Sequence, residues 1–127
     1  MKAIKTVLII EDEPLNIELE KALFEAAGYV VLEAEDAEKG IAIAEEEKPD
    51  LIVLDFQLPR ISGLQALENL KHNHKTRGIP CVFVTASATD DQTAKLKSSS
   101  ACGYVTKPIN TRTFVKQVIE LAGTHSH

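Results

Sequence analysis

The 127-residue chain is poor in cysteine and lacks the residue spacings that build disulfide or zinc sites. Its two cysteines, Cys81 and Cys102, lie far apart and form no C-x-x-C pair. Such usage is typical of ordinary buried thiols in a reducing compartment. The histidines near position 72 and at the C-terminus also lack zinc-ligand spacing. The cysteines and histidines therefore favour neither a disulfide framework nor a zinc site.

Long apolar runs and basic stretches are also absent. No apolar run approaches the roughly 20 residues that a membrane helix needs. A formal net charge of -5 without a basic stripe disfavours nucleic-acid binding. The N-terminal "MKAIKTVLII" is followed by "EDEP" and not by the small-residue cleavage site of a secretory signal. We expect a cytoplasmic protein with neither nucleic acid nor membrane as a partner.

The chain shows no repeat, long linker or low-complexity segment, and its length suits one domain. We predict a domain over residues 1–122 and a flexible C-terminal tail over 123–127. Short β-rich runs alternate with longer helical ones. The predicted strands are Thr6–Ile10, Tyr29–Ala34, Leu51–Asp55, Cys81–Thr85 and Gly103–Thr106. The predicted helices are Pro14–Ala27, Ala37–Glu47, Ser62–Lys71, Asp90–Ser99 and Thr111–Ala122.

The first predicted helix has clear boundaries. Pro14 suits a first helical turn, and Gly28 suits the left-handed residue that often follows a helix. Its buried face is predicted to carry the apolar residues Leu15, Leu19, Leu23 and Phe24.

Five consecutive βα units imply a parallel sheet with helices on both faces, and right-handed crossovers favour an open doubly wound sheet. Ligands of such sheets bind beyond the carboxyl ends of the strands.

Charged and hydroxyl residues follow these predicted strand ends. The residues concerned are Glu11, Asp12 and Glu13, then Asp55, then Thr85 and Ser87, and finally Lys107. Carboxylates at one rim repel each other unless a cation lies among them, and oxygen ligands are those that Mg²⁺ prefers. A lysine there would pair with a carboxylate or with a phosphoryl group attached to it.

The motifs "VLIIEDEP", "LIVLDFQLPRISGL", "VFVTAS" and "GYVTKP", each ending a predicted strand, resemble those of bacterial response-regulator receiver domains. The resemblance covers nearly the whole chain. It implies a flavodoxin-like (βα)5 fold with strand order 2-1-3-4-5. It also implies a phosphoacceptor signalling protein of a two-component system, one that changes partner binding and is not a turnover enzyme.

The resemblance assigns roles to particular residues. Asp55 matches the acceptor of a phosphoryl group from a histidine kinase or histidine phosphotransfer protein. Glu11 and Asp12 match the acidic pair; Asp12 and Asp55 would ligate Mg²⁺ (or Mn²⁺) directly, together with the backbone carbonyl of Gln57. Carboxylates and a metal suit phosphoryl transfer, which requires positioning and charge stabilisation.

The remaining matches concern the response to phosphorylation. Thr85 matches the hydroxyl that moves to the phosphoryl oxygen, Lys107 the cation that pairs with it, and Tyr104 an aromatic switch on the fifth strand. A cis Lys107-Pro108 bond would aim the lysine inward. The resemblance also implies that Gln57 and Ser87 tune the phosphoryl lifetime.

Simpler roles stay open for these residues. The Glu11–Glu13 run could be a helix start, Asp55 a turn residue before Pro59, Lys107 a surface lysine, and Tyr104 ordinary strand packing. Gly103 replaces an Asp that many DNA-binding members use in a dimer salt bridge, so we expect a monomer or weak dimer with an unknown downstream protein target.

Other classes of protein fit less well. An aspartyl-phosphate hydrolase would need a second Asp where Gln57 stands, and a nucleotide-binding protein would need a glycine-rich loop after the first strand. A receiver excised from a hybrid histidine kinase or larger regulator is the main alternative. The initial Met and a full last helix favour a natural single-domain protein. A binding module that ignores phosphate is the third possibility.

Overall fold

A computed structural model describes residues 3–86 and 89–123 of the protein. The described residues form a five-stranded parallel sheet in the order β2-β1-β3-β4-β5. The strands are β1 (Thr6–Ile10), β2 (Val30–Ala34), β3 (Leu51–Asp55), β4 (Cys81–Thr85) and β5 (Gly103–Thr106). The helices are α1 (Pro14–Ala26), α2 (Ala37–Glu47), α3 (Gly63–His72), α4 (Asp90–Ser98) and α5 (Phe114–Gly123). The predicted fold and strand order are confirmed.

Two hydrophobic clusters hold the helices to opposite faces of the sheet. One face packs α2, α3 and α4 through residues such as Ala44, Leu67 and Leu96. The other packs α1 and α5, whose rings Phe24 and Phe114 meet edge to face with centroids 5.7 Å apart. The central strands are buried on both faces, as their unbroken apolar runs predict.

Local capping explains where several helices begin. The Asp36 carboxylate accepts a hydrogen bond from the backbone N–H of Lys39 at 2.8 Å, which caps α2. The Ser62 hydroxyl caps α3 through the N–H of Gln65. Gly28 follows α1 with φ +96°, a conformation that glycine adopts readily.

Among the residues described, no helix is long and apolar enough to cross a membrane.

The predicted buried face of α1 is partly wrong. Leu15 and Leu19 are 72% and 39% exposed, whereas Glu20 and Phe24 are buried. Consecutive residues of an α-helix are rotated by about 100° around its axis. Because Glu20 and Phe24 lie on the buried face of α1, Leu19 lies at the edge of that face. Of the four residues predicted for the core face, Phe24 is buried and Leu23 packs against the same cluster, whereas Leu15 and Leu19 are exposed.

The last helix begins later than predicted, at Phe114 and not at Thr111. Asn110 holds the intervening residues in a turn. Its side-chain oxygen accepts from the N–H of Arg112 at 2.9 Å, and its carbonyl accepts from the N–H groups of Thr113 and Phe114. Such local side-chain bonds compete with helical ones.

Candidate functional site

The carboxyl ends of β1 and β3 bring three acidic side chains together. Glu11 follows β1, whose last residue is paired in register with Leu54, the residue before Asp55. Oxygen atoms of Glu11, Asp12 and Asp55 lie within 4.8 Å of one another. Glu11 and Asp55 are 2% and 6% exposed, and Asp12 is exposed. The predicted cluster at the sheet edge is therefore present in the structure.

Lys107 reaches into this cluster from the end of β5. Its Nζ lies 2.9 Å from Oε1 of Glu11 and 3.6 Å from Oδ2 of Asp55. Its backbone N–H donates to the carbonyl of Thr85 at 2.7 Å, which joins the loop to β4. The Lys107-Pro108 bond is cis, as the resemblance implies. Lys107 is thus no ordinary surface lysine.

Burial and crowding shift the protonation of the two buried acids in opposite directions. Burial, reinforced by the hydrogen bond and charge of Glu11, raises the pKa of Asp55. Burial acts the same way on Glu11, but hydrogen bonds with Asp55 and Lys107 outweigh it and lower the pKa of Glu11. The raised pKa of Asp55 therefore favours uptake of a proton by the metal-free cluster.

The charges of the cluster favour a cation. Burial and the charge of Glu11 raise the pKa of Asp12, although this side chain is largely exposed. Partial burial lowers the pKa of Lys107. Its hydrogen bond to Glu11 and the charges of the nearby carboxylates outweigh burial, so the pKa of Lys107 is raised. Three carboxylates around one ammonium leave excess negative charge, which a hard divalent ion with oxygen ligands would balance.

Glu13 has the simpler role that the sequence left open. It stands at the N-cap of α1, where its side chain accepts a hydrogen bond from the N–H of Leu15 at 3.4 Å. Its backbone N–H in turn donates to Oε2 of Glu11 at 3.1 Å. The acidic run thus combines a helix start with two residues of the cluster.

Glu20 is a buried acid near the cluster that the sequence analysis missed. It is 2% exposed, and burial, then the charges of Glu11 and Asp55, raises its pKa to about 8. It lines a cleft of about 460 Å³ together with Lys107 and Pro108. The sequence contains one signal for the burial of Glu20: it lies four residues before the apolar Phe24, and residues at that spacing share a helical face.

The β3–α3 loop contacts both the Asp55 carboxylate and the start of α2. The backbone N–H of Gln57 donates to Oδ1 of Asp55 at 3.1 Å, so this residue lies beside the carboxylate. The role of the Gln57 carbonyl as a metal ligand stays a prediction. The N–H of Gly63 donates to the carbonyl of Phe56 at 3.0 Å. Arg60, which the sequence analysis did not consider, extends from this loop to Asp36 at 3.2 Å.

The predicted switch residues occupy the neighbouring strands. Thr85 ends β4 and is fully buried. Tyr104 is half-buried on β5 and packs against the hydrophobic cluster on the face of the sheet that α2, α3 and α4 cover. It also lines a cleft of about 610 Å³ with Gln117 and Leu121 of α5. Ser87 lies outside the described residues.

A (βα)5 sheet in this order, with an acidic cluster and an inward lysine at its carboxyl edge, defines the class of receiver domains. The family comparison agrees: residues 7–119 match the response regulator receiver domain, and the chain belongs to this family. It is 34% identical to the polar-differentiation response regulator DivK of Brucella anthropi over 119 residues, which cover 94% of this chain and 97% of DivK.

Solved structures show the same fold. The chemotaxis protein CheY4 of Vibrio cholerae superposes with a TM-score of 0.86 at 23% identity, covering 94% of this chain and 99% of that one. A CheY-like receiver domain protein from Methanospirillum hungatei superposes with a TM-score of 0.85 at 27% identity, covering 96% of each chain. These structures agree with the family match, which assigns residues 7–119 to the receiver domains of two-component systems.

Proposed function

We propose that Asp55 accepts a phosphoryl group from a phosphohistidine of a histidine kinase or phosphotransfer protein. The observation that carries this proposal is the position of the Asp55 carboxylate. This carboxylate is buried at the end of β3, lies 3.6 Å from the Lys107 ammonium and is grouped with Glu11 and Asp12. An Asp55 oxygen would form the P–O bond as the P–N bond of the donor breaks. The donor imidazole, protonated on its other nitrogen, would leave as neutral imidazole.

The donor set fits Mg²⁺ or Mn²⁺. Asp12 and Asp55 would hold the ion directly with the backbone carbonyl of Gln57, and Glu11 would complete the acidic pair. When bound, the ion supplies positive charge to the phosphoryl oxygens. Asp55 would react as the ionised carboxylate. The Lys107 ammonium, 3.6 Å away, favours this form, whereas the neighbouring Glu11 opposes it.

The remaining residues would read the phosphoryl group. Lys107 would exchange Glu11 for a phosphoryl oxygen, and the Thr85 hydroxyl would bond a second oxygen. Tyr104 would follow Thr85 inward and alter the surface of α4, β5 and α5, where a downstream protein binds. The domain would then act by a change of partner and not by turnover of an external substrate. A cytoplasmic location, a monomeric or weakly dimeric state and a flexible tail stay predictions.

The test is the intact mass of the protein after incubation with acetyl phosphate, in Mg²⁺ and in EDTA. The wild type is expected to gain one phosphoryl group in Mg²⁺ only, and Asp55→Asn none. Asp91→Asn, at an exposed position on α4, is the matched control and should behave like the wild type. If acetyl phosphate and a histidine phosphodonor both leave the wild type unmodified, phosphotransfer is wrong and the acidic edge is a constitutive docking surface.

A further inference from the structure

The β3–α3 loop contains a tight bend at Arg60. Its φ is +67°, in the left-handed region that residues with a side chain rarely adopt. The N–H of Ile61 donates to the carbonyl of Pro59 at 2.7 Å, which closes a three-residue turn around Arg60. Turns of this length with a positive central φ are rare and strained. A non-glycine residue here persists only where surrounding contacts hold it.

The side chain of Arg60 supplies such a contact. Its Nη2 lies 3.2 Å from Oδ2 of Asp36, and its Nε lies 3.9 Å from Oε1 of Glu38. Asp36 is 8% exposed, and its other oxygen, Oδ1, caps α2 at the N–H of Lys39. Because Asp36 is fixed by the helix that it caps, it gives the loop a rigid attachment point.

The loop joins this attachment to the acidic cluster. At one end the Gln57 N–H is bonded to the Asp55 carboxylate, and at the other the Gly63 N–H is bonded to the Phe56 carbonyl. Between these ends, the ion pair of Arg60 is a side-chain link from the loop to another element of the fold. A shift of residues 58–61 would move the Gln57 backbone, since only two residues separate Gln57 from Arg60.

We propose that Arg60 is a positioning residue for the metal site: its ion pair with Asp36 holds the β3–α3 loop so that the Gln57 carbonyl faces the acidic cluster. This inference rests on the proposed metal-dependent function. It makes a prediction opposite to that of simple electrostatics. Removing a positive charge near a cation site should strengthen Mg²⁺ binding, whereas losing a positioning contact should weaken it.

The experiment is a Mg²⁺ titration followed by the amide resonances of the protein in NMR, with the free energy of unfolding measured in EDTA. The variants are Arg60→Ala, Asp36→Ser and the two combined. Serine is a good helix cap, so Asp36→Ser keeps the start of α2 and removes the carboxylate. Arg60→Lys keeps a charge that can reach Asp36, and Arg60→Gly removes the side chain while relaxing the turn. Arg77→Ala, at an exposed position after α3, is the control.

We expect Arg60→Ala, Arg60→Gly and Asp36→Ser each to weaken Mg²⁺ binding about threefold, as suits a partly exposed ion pair. The double variant should be no weaker than either single one, and Arg60→Lys should restore most of the affinity. Equal or tighter Mg²⁺ binding by Arg60→Ala would overturn the role of Arg60 alone. A wild type that does not bind Mg²⁺ would overturn the proposed function as well, so the two failures are distinguishable.

Discussion

Lys107 donates its hydrogen bond to Glu11 and not to Asp55: its Nζ lies 2.9 Å from Oε1 of Glu11 and 3.6 Å from Oδ2 of Asp55. In this arrangement the ammonium pairs with Glu11, a member of the acidic cluster that would surround the proposed metal. Binding of a cation would release Lys107 from Glu11 and leave it free to pair with a phosphoryl group on Asp55. In the proposed function, this relationship would link metal binding, the release of Lys107 and the phosphorylation of Asp55.

Replacement of Lys107 should separate metal binding from phosphorylation. Lys107→Ala is expected to bind Mg²⁺ at least as tightly as the wild type, because a competing positive charge has gone. Its rate of phosphorylation should fall about 10²-fold, since the stabilisation of the transferred charge is lost. The measurements are Mg²⁺ titration by NMR and the time course of intact mass in acetyl phosphate. Lys116→Ala, at an exposed position on α5, is the control, and an unchanged rate in Lys107→Ala would contradict this role.

The buried acid Glu20 should make the metal-free protein less stable at high pH. The pKa of Glu20 is about 8 in the folded state against an ordinary value of 4.5, so the folded state binds the extra proton between these pH values. The unfolding free energy should therefore fall as pH rises from about 5 to about 8, by no more than about 5 kcal/mol from this residue. The raised pKa of Asp55 acts in the same direction.

Urea unfolding in EDTA across this pH range measures the effect. Glu20→Gln, which cannot ionise, should show a clearly flatter dependence than the wild type. Glu18→Gln, at an exposed position of α1, should keep the wild-type slope. Parallel curves for the wild type and Glu20→Gln would show that Glu20 is ionised in the folded protein and that its pKa is not raised.

Magnesium should stabilise the fold more at pH 8 than at pH 6. Protons on Asp55 compete with the ion at the lower pH, because the pKa of this carboxyl is raised. With Mg²⁺ at ten times the Kd that it has at pH 8, the expected gain in unfolding free energy at that pH is about 1.4 kcal/mol. The same Mg²⁺ concentration should give a smaller gain at pH 6. Urea unfolding with and without Mg²⁺ at both pH values tests this, and Asp12→Asn should lose most of the gain. An equal gain in Asp12→Asn would place the ion elsewhere.

A methyl group at Gly63 should disturb the start of α3 beneath the site. A Cβ atom there would lie 2.6 Å from the carbonyl oxygen of Asp55 and 2.8 Å from Cα of Phe56, and neither backbone atom can move freely. Gly63→Ala is therefore expected to lower the unfolding free energy by about 1–3 kcal/mol and to weaken Mg²⁺ binding. Gly78→Ala, where a Cβ would meet no atom within 4 Å, is the matched control. Equal stability of the two variants would contradict the close approach.

The sequence predicts the sheet of this protein well because its strands are short apolar runs with clear ends. Four of the five strands have the predicted bounds, and β2 begins one residue later than predicted. The residues that follow these strands converge because parallel strands share one carboxyl edge, so Glu11, Asp12, Asp55 and Lys107 were predictable as a group.

Other features depend on tertiary contacts that a linear pattern does not carry. The apolar Leu15 and Leu19 are exposed while Glu20 is buried. The orientation of α1 follows the packing of Phe24 against Tyr29 and Phe114. The link from Arg60 to Asp36 joins residues 24 positions apart and depends on a positive φ. Neither periodicity nor local propensity indicates such a contact.

The most direct test of the account is to locate the phosphoryl group chemically. After phosphorylation in Mg²⁺, borohydride reduces an aspartyl phosphate to homoserine, and mass spectrometry of peptides identifies the residue changed. The account predicts homoserine at position 55 alone, with none in the EDTA sample or in Asp55→Asn. Reduction at Asp12 or Glu11 in place of Asp55, or at no acidic residue of a protein that has gained phosphate, would contradict Asp55 as the phosphoacceptor.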